Sequence, residues 1–169
     1  MAPPPTPPVV APLVKLVVRV LTFICLLIGL IILTTNTASI FINFAEFKIR
    51  FQDVKAYRYM LATIVIGIAY TLMQTALTVY EATRGNRIGG QGFLLFDFYG
   101  DKFISLLLAT GTGAGFGVTV DLKDQYGAIT SGYDKFFDKG YAVSSMLLIA
   151  VLFSAVSSIF SSLSLPKRA

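Results

Sequence analysis

Val20 to Ala45 reads VLTFICLLIGLIILTTNTASIFINFA, 26 residues without a charge. A helix needs about 20 mostly apolar residues, at 1.5 Å rise each, to cross the hydrocarbon of a bilayer. This stretch is long enough, and three further charge-free windows follow it: Tyr59 to Tyr80, Phe103 to Val120, and Gly140 to Pro166. The chain of 169 residues is 14% charged and 55% hydrophobic, with a mean hydropathy of +0.73. Soluble domains carry roughly a quarter charged residues, so the expected fold is an all-α membrane protein, a four-transmembrane-helix bundle with short loops. The spans are expected at about 16–38, 56–80, 99–120 and 139–165, giving a membrane domain over 13–165. A short tail follows at 166–169.

Ahead of the first span, residues 1–12 hold six of the seven prolines. Proline lacks an amide donor and clashes with the preceding turn, so a disordered or polyproline-like tail is expected there. A cleaved signal peptide is disfavoured, because Thr34 to Ser39 lacks an A-x-A pattern. Between the first two spans, Phe47 to Gln52 alternates apolar and polar residues, a short strand signal. Arg84 to Gly92 reads as a glycine-rich linker and does not fit a dinucleotide fingerprint. Asp121 to Asp138 holds four aspartates and two lysines without calcium-loop spacing, so a solvated loop is expected. Aromatic residues at the span ends (Tyr57, Tyr59, Tyr80, Phe98, Tyr99, Phe136, Phe137, Tyr141) suit an interfacial belt.

Composition removes several chemistries. With no histidine and one cysteine, the chain cannot build a histidine zinc site, a Ser-His-Asp triad, a Cys/His dyad or an internal disulfide. No cofactor, metal or catalytic activity is expected. The net charge of +5 sits at span ends and in loops, where lipid headgroups and topology account for it, and nucleic-acid binding is not expected. Cations divide evenly between the two sides of the membrane, so the positive-inside rule leaves the orientation open.

Two charges fall inside the spans. Arg19 lies a full turn within the first, and an intramembrane charge calls for a partner. At 100° per residue, Thr22, Leu26, Gly29, Leu33 and Asn36 share its face, which is expected to turn toward protein. Asp101 sits at matching depth in the third span, which runs in the same direction. A structural Arg19–Asp101 ion pair is therefore expected. In the alternative, Arg19 snorkels to the headgroups and Asp101 caps its helix.

Small residues mark the contact surfaces. In the third span, Gly111/Gly115 and Gly113/Gly117 form two small-xxx-small pairs on roughly opposite faces, predicting close approach to two neighbours, within the bundle or across an oligomer contact. In the fourth, Ala150, Ser154, Ser157, Ser158, Ser161 and Ser162 recur at helical spacing, a packing stripe in which Ser154 and Ser158 are the candidate contacts. Tyr70 and Gln74 could line a pore, although buried interhelical hydrogen bonds suit two neutral groups better. Cys25 lies deep in the first span, with packing as its expected role.

These motifs together bring out a resemblance. Val18-Arg19-Val20 leading to Leu33-Thr34-Thr35-Asn36-Thr37, then Ala56-Tyr57-Arg58-Tyr59-Met60-Leu61-Ala62, then Tyr99-Gly100-Asp101-Lys102-Phe103-Ile104, resemble the Casparian strip membrane domain protein-like (CASP-like) family of plants over roughly residues 15–165. The related MARVEL-type tetraspans are also compatible. In that family the arginine of span one and the aspartate of span three are the hallmark, matching Arg19 and Asp101. The resemblance implies a plasma-membrane protein with both termini cytoplasmic. It also implies homo-oligomers and hetero-oligomers with related members, set among membrane lipids, that form immobile membrane domains and recruit cell-wall-modifying enzymes. Phe44 to Val54 departs from the loop signature of the strip-forming members, which points to a relative building a different domain. The functional expectation is an oligomeric scaffold; the alternative is a small channel or transporter using the Arg19/Asp101 region as a polar pathway.

Overall fold

The computed structural model describes residues 10–42, 45–84, 90–126 and 134–163. Four long helices dominate: α1 Val10–Thr34, α2 Lys55–Arg84, α3 Gly90–Tyr126 and α4 Asp134–Leu163. Each carries an apolar stretch long enough to cross a bilayer: Leu13–Thr34, Lys55–Tyr80, Leu95–Gln125 and Asp134–Ile159. Around the bundle, α1 and α3 each pack on both α2 and α4. The first and third helices therefore stand on a diagonal, and α3 packs on two neighbours from a corner of the bundle.

Burial follows the 3.6-residue period. On α1, Arg19, Thr22, Leu26, Gly29 and Leu33 are all buried, as the helical projection predicted, and so is Asn36 just past the helix end. On α3, Asp97, Asp101, Ile104, Leu108, Gly111, Gly115 and Thr119 form the inward stripe. These meet Tyr57, Met60 and Ile64 of α2 and Val143, Leu147 and Ala150 of α4 in one apolar core. The outer surface is also apolar, with Ile31, Leu106, Leu152 and Ile159 each about 60% exposed or more. A soluble protein rarely shows so much contiguous apolar surface; here lipid is the solvent, and the chain is a multi-pass membrane protein.

Several helix boundaries differ from the sequence reading, α2, α3 and α4 also extending beyond their expected spans at Arg84, Tyr126 and Asp134. The first helix begins at Val10, taking in residues 10–12 of the expected proline tail. Pro12 is tolerated there because the first four amides of a helix have no internal acceptor. The first span ends at Thr34 rather than near Ala38, where Thr35 and Asn36 close the last turn by donating to the carbonyls of Ile31 and Leu33. The third helix starts nine residues before the expected Tyr99, at Gly90.

Beyond α1 lies a hairpin, β1 Thr37–Ile42 paired antiparallel with β2 Ala45–Arg50, followed by a 3₁₀ turn at Phe51–Asp53. The strand signal at Phe47–Gln52 thus belongs to β2, and its partner is the segment just before it. The register sets Ala38, Ile40 and Ile42 opposite Ile49, Phe47 and Ala45. At its base, the Phe51 amide donates to the Asn36 carbonyl at 3.2 Å.

The expected aromatic belt separates into two groups. Tyr59, Tyr80 and Tyr99 are exposed, as a belt requires, whereas Tyr57, Phe136 and Phe137 are buried. Tyr57 is turned inward by a hydrogen bond between its hydroxyl and Thr119 Oγ1, 2.8 Å away, and its ring stands edge-on to Phe136. Residues 1–9, 85–89, 127–133 and 164–169, including most of the tail, the glycine linker, the centre of the acidic loop and the last tail, lie outside the described residues.

Candidate functional site

Arg19 occupies the seventh position of the apolar stretch of α1, about 9 Å along the helix from its start at Leu13. Asp101 is likewise the seventh residue from Leu95 on α3. The depths match, and the guanidinium crosses the bundle diagonal to reach α3. Its Nη2 lies 3.5 Å from Asp101 Oδ2 and makes its shorter contact with Asp97 Oδ1. The expected pair is thus shared between two carboxylates one turn apart.

Other helices complete the network. Arg19 Nη1 donates to Thr78 Oγ1 at 2.6 Å and to the Gln74 carbonyl at 3.4 Å, both on α2. From the same helix, the Tyr70 hydroxyl donates to Asp101 Oδ1 at 2.8 Å and accepts from Gln74 Nε2 at 3.0 Å. Ser157 of α4 donates to Asp101 Oδ2 at 3.2 Å. Lys15 of α1, one turn before Arg19, reaches Asp97 Oδ2 at 3.5 Å. Among the described residues two cations, Lys15 and Arg19, face two carboxylates, Asp97 and Asp101. Arg19, Gln74 and Asp101 are each 5% exposed or less. A buried charge with neither counterion nor hydrogen bonds is costly in hydrocarbon; here every helix of the bundle contributes to satisfying one. Of the two candidate interhelical groups, Tyr70 bonds across to Asp101, whereas the Gln74 side chain bonds Tyr70 of its own helix and reaches α1 through its backbone carbonyl.

Asp97, Lys15 and Thr78 went unnoticed in the sequence. Asp97 was placed in a loop because the charge-free window opens only at Phe103. Its spacing of four from Asp101 is the signal that identifies it, once α3 is taken back to Gly90: i and i+4 share a helix face.

The glycines of α3 divide by face. A methyl group on Gly111 would overlap the side chain of Thr63, and one on Gly115 would overlap Met60 and stand 2.6 Å from Ser144 Oγ. Gly111 and Gly115 therefore let α3 approach its neighbours inside the bundle. Gly113 and Gly117 have nothing among the described residues within 4 Å of an added methyl, so the second face meets none of the described helices at these positions. The stripe Asp101, Ser105, Ala109, Gly113, Gly117 begins buried and ends exposed. Steps of four advance 400°, so the line drifts about 40° per step out of the core. On α4, Ser154, Ser157 and Ser158 are buried. Ser154 lines the Arg19 cluster and Ser158 lies one turn beyond it, while the side chains of Ser161 and Ser162 lie outside the described residues.

A second polar junction closes the hairpin end. Asn36, fully buried, donates from Nδ2 to the Phe136 carbonyl at 3.2 Å, and Lys139 Nζ donates to the Thr35 carbonyl at 2.9 Å. The end of α1 is thereby fastened to the start of α4. Among the described residues no group of three or more acidic, cysteine or histidine side chains is placed to hold a metal.

Comparison with known proteins gives a consistent result. The family profile of the Casparian strip membrane protein domain matches residues 10–165. CASP-like protein 4D1 of Ricinus communis is 52% identical over 169 residues, covering 99% of each chain. CASP-like protein 4D1 of Populus trichocarpa is 49% identical, covering 94% of this chain and 90% of its own. CASP-like protein 4D2 of Arabidopsis thaliana is 48% identical, covering 99% of both chains. No solved structure matches.

Proposed function

The chain belongs to the Casparian strip membrane protein domain family, and from that premise we propose that it is a non-catalytic, oligomeric scaffold of the plasma membrane. Both termini face the cytoplasm, and copies of the chain, alone or with related members, assemble into a stable membrane domain that gathers cell-wall-modifying partners. Assembly and recruitment are carried over from the family resemblance.

The observation that supports a scaffold over a conduit is the Arg19 cluster itself. A guanidinium held by Asp97, Asp101, Thr78 and the Gln74 carbonyl is tied down on several sides, which suits a fastening between helices. A transport path needs groups weak enough to bind and release. The uncovered Gly113/Gly117 face supports oligomerisation, because small-xxx-small surfaces let membrane helices approach closely.

Fluorescence recovery of a tagged chain in plant plasma membrane, paired with ion flux through the reconstituted protein, tests the proposal. The scaffold is expected to recover slowly and to conduct nothing; a freely mobile, conducting protein overturns it. Cysteine labelling near each terminus, with an impermeant reagent on intact cells, checks the orientation. Labelling without permeabilisation would refute cytoplasmic termini.

A further inference from the structure

A small cavity opens inside the Arg19 cluster, between Arg19, Tyr70, Gln74, Asp101, Ser154 and Ser157. It offers about 10 Å³ to the centre of a water-sized sphere, close to the roughly 10–15 Å³ that a single water needs. One of its walls carries an unmet demand. Arg19 is 5% exposed, and its Nε–H has no acceptor among the described residues although Nη1 and Nη2 are both engaged. A buried guanidinium N–H without an acceptor is a costly group in a low-dielectric setting.

The chemistry of the walls selects the occupant. Among the described residues Lys15 and Arg19 pair with Asp97 and Asp101, so an added ion of either sign would unbalance those pairs. A cation would also meet the Arg19 N–H, and an anion the two carboxylates. What fits is a neutral molecule of one heavy atom that both accepts and donates. We propose that this cavity binds a single internal water, which accepts from Arg19 Nε–H and donates to the carboxylate of Asp101. The water is then the fifth partner of the guanidinium, after Thr78, the Gln74 carbonyl, Asp97 and Asp101, and a structural part of the bundle. Internal waters of this kind make about three hydrogen bonds to buried polar groups.

The test uses the full chain in lipid nanodiscs with ¹⁵N-labelled arginine, the Arg19 Nε signal being assigned by its loss in Arg19→Lys. Magnetisation transfer from water to that Nε–H is expected in the native protein. It is expected to survive in Ser154→Ala, which leaves the cavity room, and to vanish in Ser154→Val, whose methyl groups fill it, with the thermal midpoint reporting whether each variant folds. Three results overturn the proposal: no transfer in the native protein, loss of transfer in a folded Ser154→Ala, which makes the serine hydroxyl the proton source, or its persistence in a folded Ser154→Val, which makes bulk water the source. A structure of the full chain at a resolution that shows waters decides independently of the variants. One peak within hydrogen-bond distance of Arg19 Nε is expected, and a dry cavity refutes the site.

Discussion

Arg19 answers to two carboxylates, and this changes what a charge swap can achieve. Exchanging Arg19→Asp with Asp101→Arg would rescue a simple pair. Here the new carboxylate would face Asp97, which stands closer to Arg19 than Asp101 does. The doubly exchanged protein is expected to remain as unstable as either single variant in a denaturation series in detergent micelles. Arg19→Ala leaves the carboxylates of a buried cluster short of a cation, and breaking a buried pair costs about 3–5 kcal/mol. Tyr70→Phe removes the bond to Asp101 and the one accepted from Gln74 Nε2, while Asp101 keeps Ser157 and Arg19, so about 2 kcal/mol is expected. A loss from Tyr70→Phe equal to that from Arg19→Ala would move the weight of the cluster from charge to hydrogen bonding.

The helices show where sequence periodicity carries information and where it stops. The buried face of α1 could be read residue by residue, because a transmembrane helix has a fixed period and Arg19 supplies its phase. Asp97 was hidden because an apolar window measures hydrocarbon, whereas α3 continues for 37 residues, about 55 Å, well beyond it. The hairpin was only half legible: β2 alternates, but β1 is apolar at four of its six positions and reads as the tail of a span. The two glycine pairs of α3 are indistinguishable in sequence, since their difference lies in which face finds a neighbour. That difference is measurable. Gly111→Ala must displace the stiff, buried Thr63 side chain and is expected to destabilise the protein by about 1–3 kcal/mol. Gly113→Ala should stay within about 0.5 kcal/mol. Gly113→Leu should leave the thermal midpoint unchanged while reducing oligomer size on cross-linking, and unchanged oligomers would remove that face from the proposed contact. At the other end of α1, Asn36→Ala would strip the Phe136 carbonyl of its donor and cost about 1–3 kcal/mol.

Across the whole molecule, the buried hydrogen bonds between helices gather at two levels separated by an apolar middle. Near one end stands the Arg19 cluster, and near the other stand Asn36, Lys139 and the base of the hairpin. Between them Leu26, Ile64, Leu108 and Leu147 pack without polar partners. The first helix is thus fixed at both ends to different neighbours, to α2 and α3 at one level and to α4 at the other. Tilting or sliding α1 would break both sets of bonds together, so the bundle is expected to melt in one cooperative transition. Separate melting of α1, seen as early hydrogen exchange along its whole length, would contradict this.

The long reach of Arg19 also bears on how the chain is made. Asp97 follows it by 78 positions, and synthesis proceeds at about 5–20 residues per second. For roughly 4–16 s the ribosome has delivered the cation without the carboxylates that will neutralise it. During that interval α1 is a poor match for lipid and a good substrate for any factor that shelters incompletely inserted helices. Membrane insertion therefore has a checkpoint written into its order, and the arrival of α3 is the event that releases it.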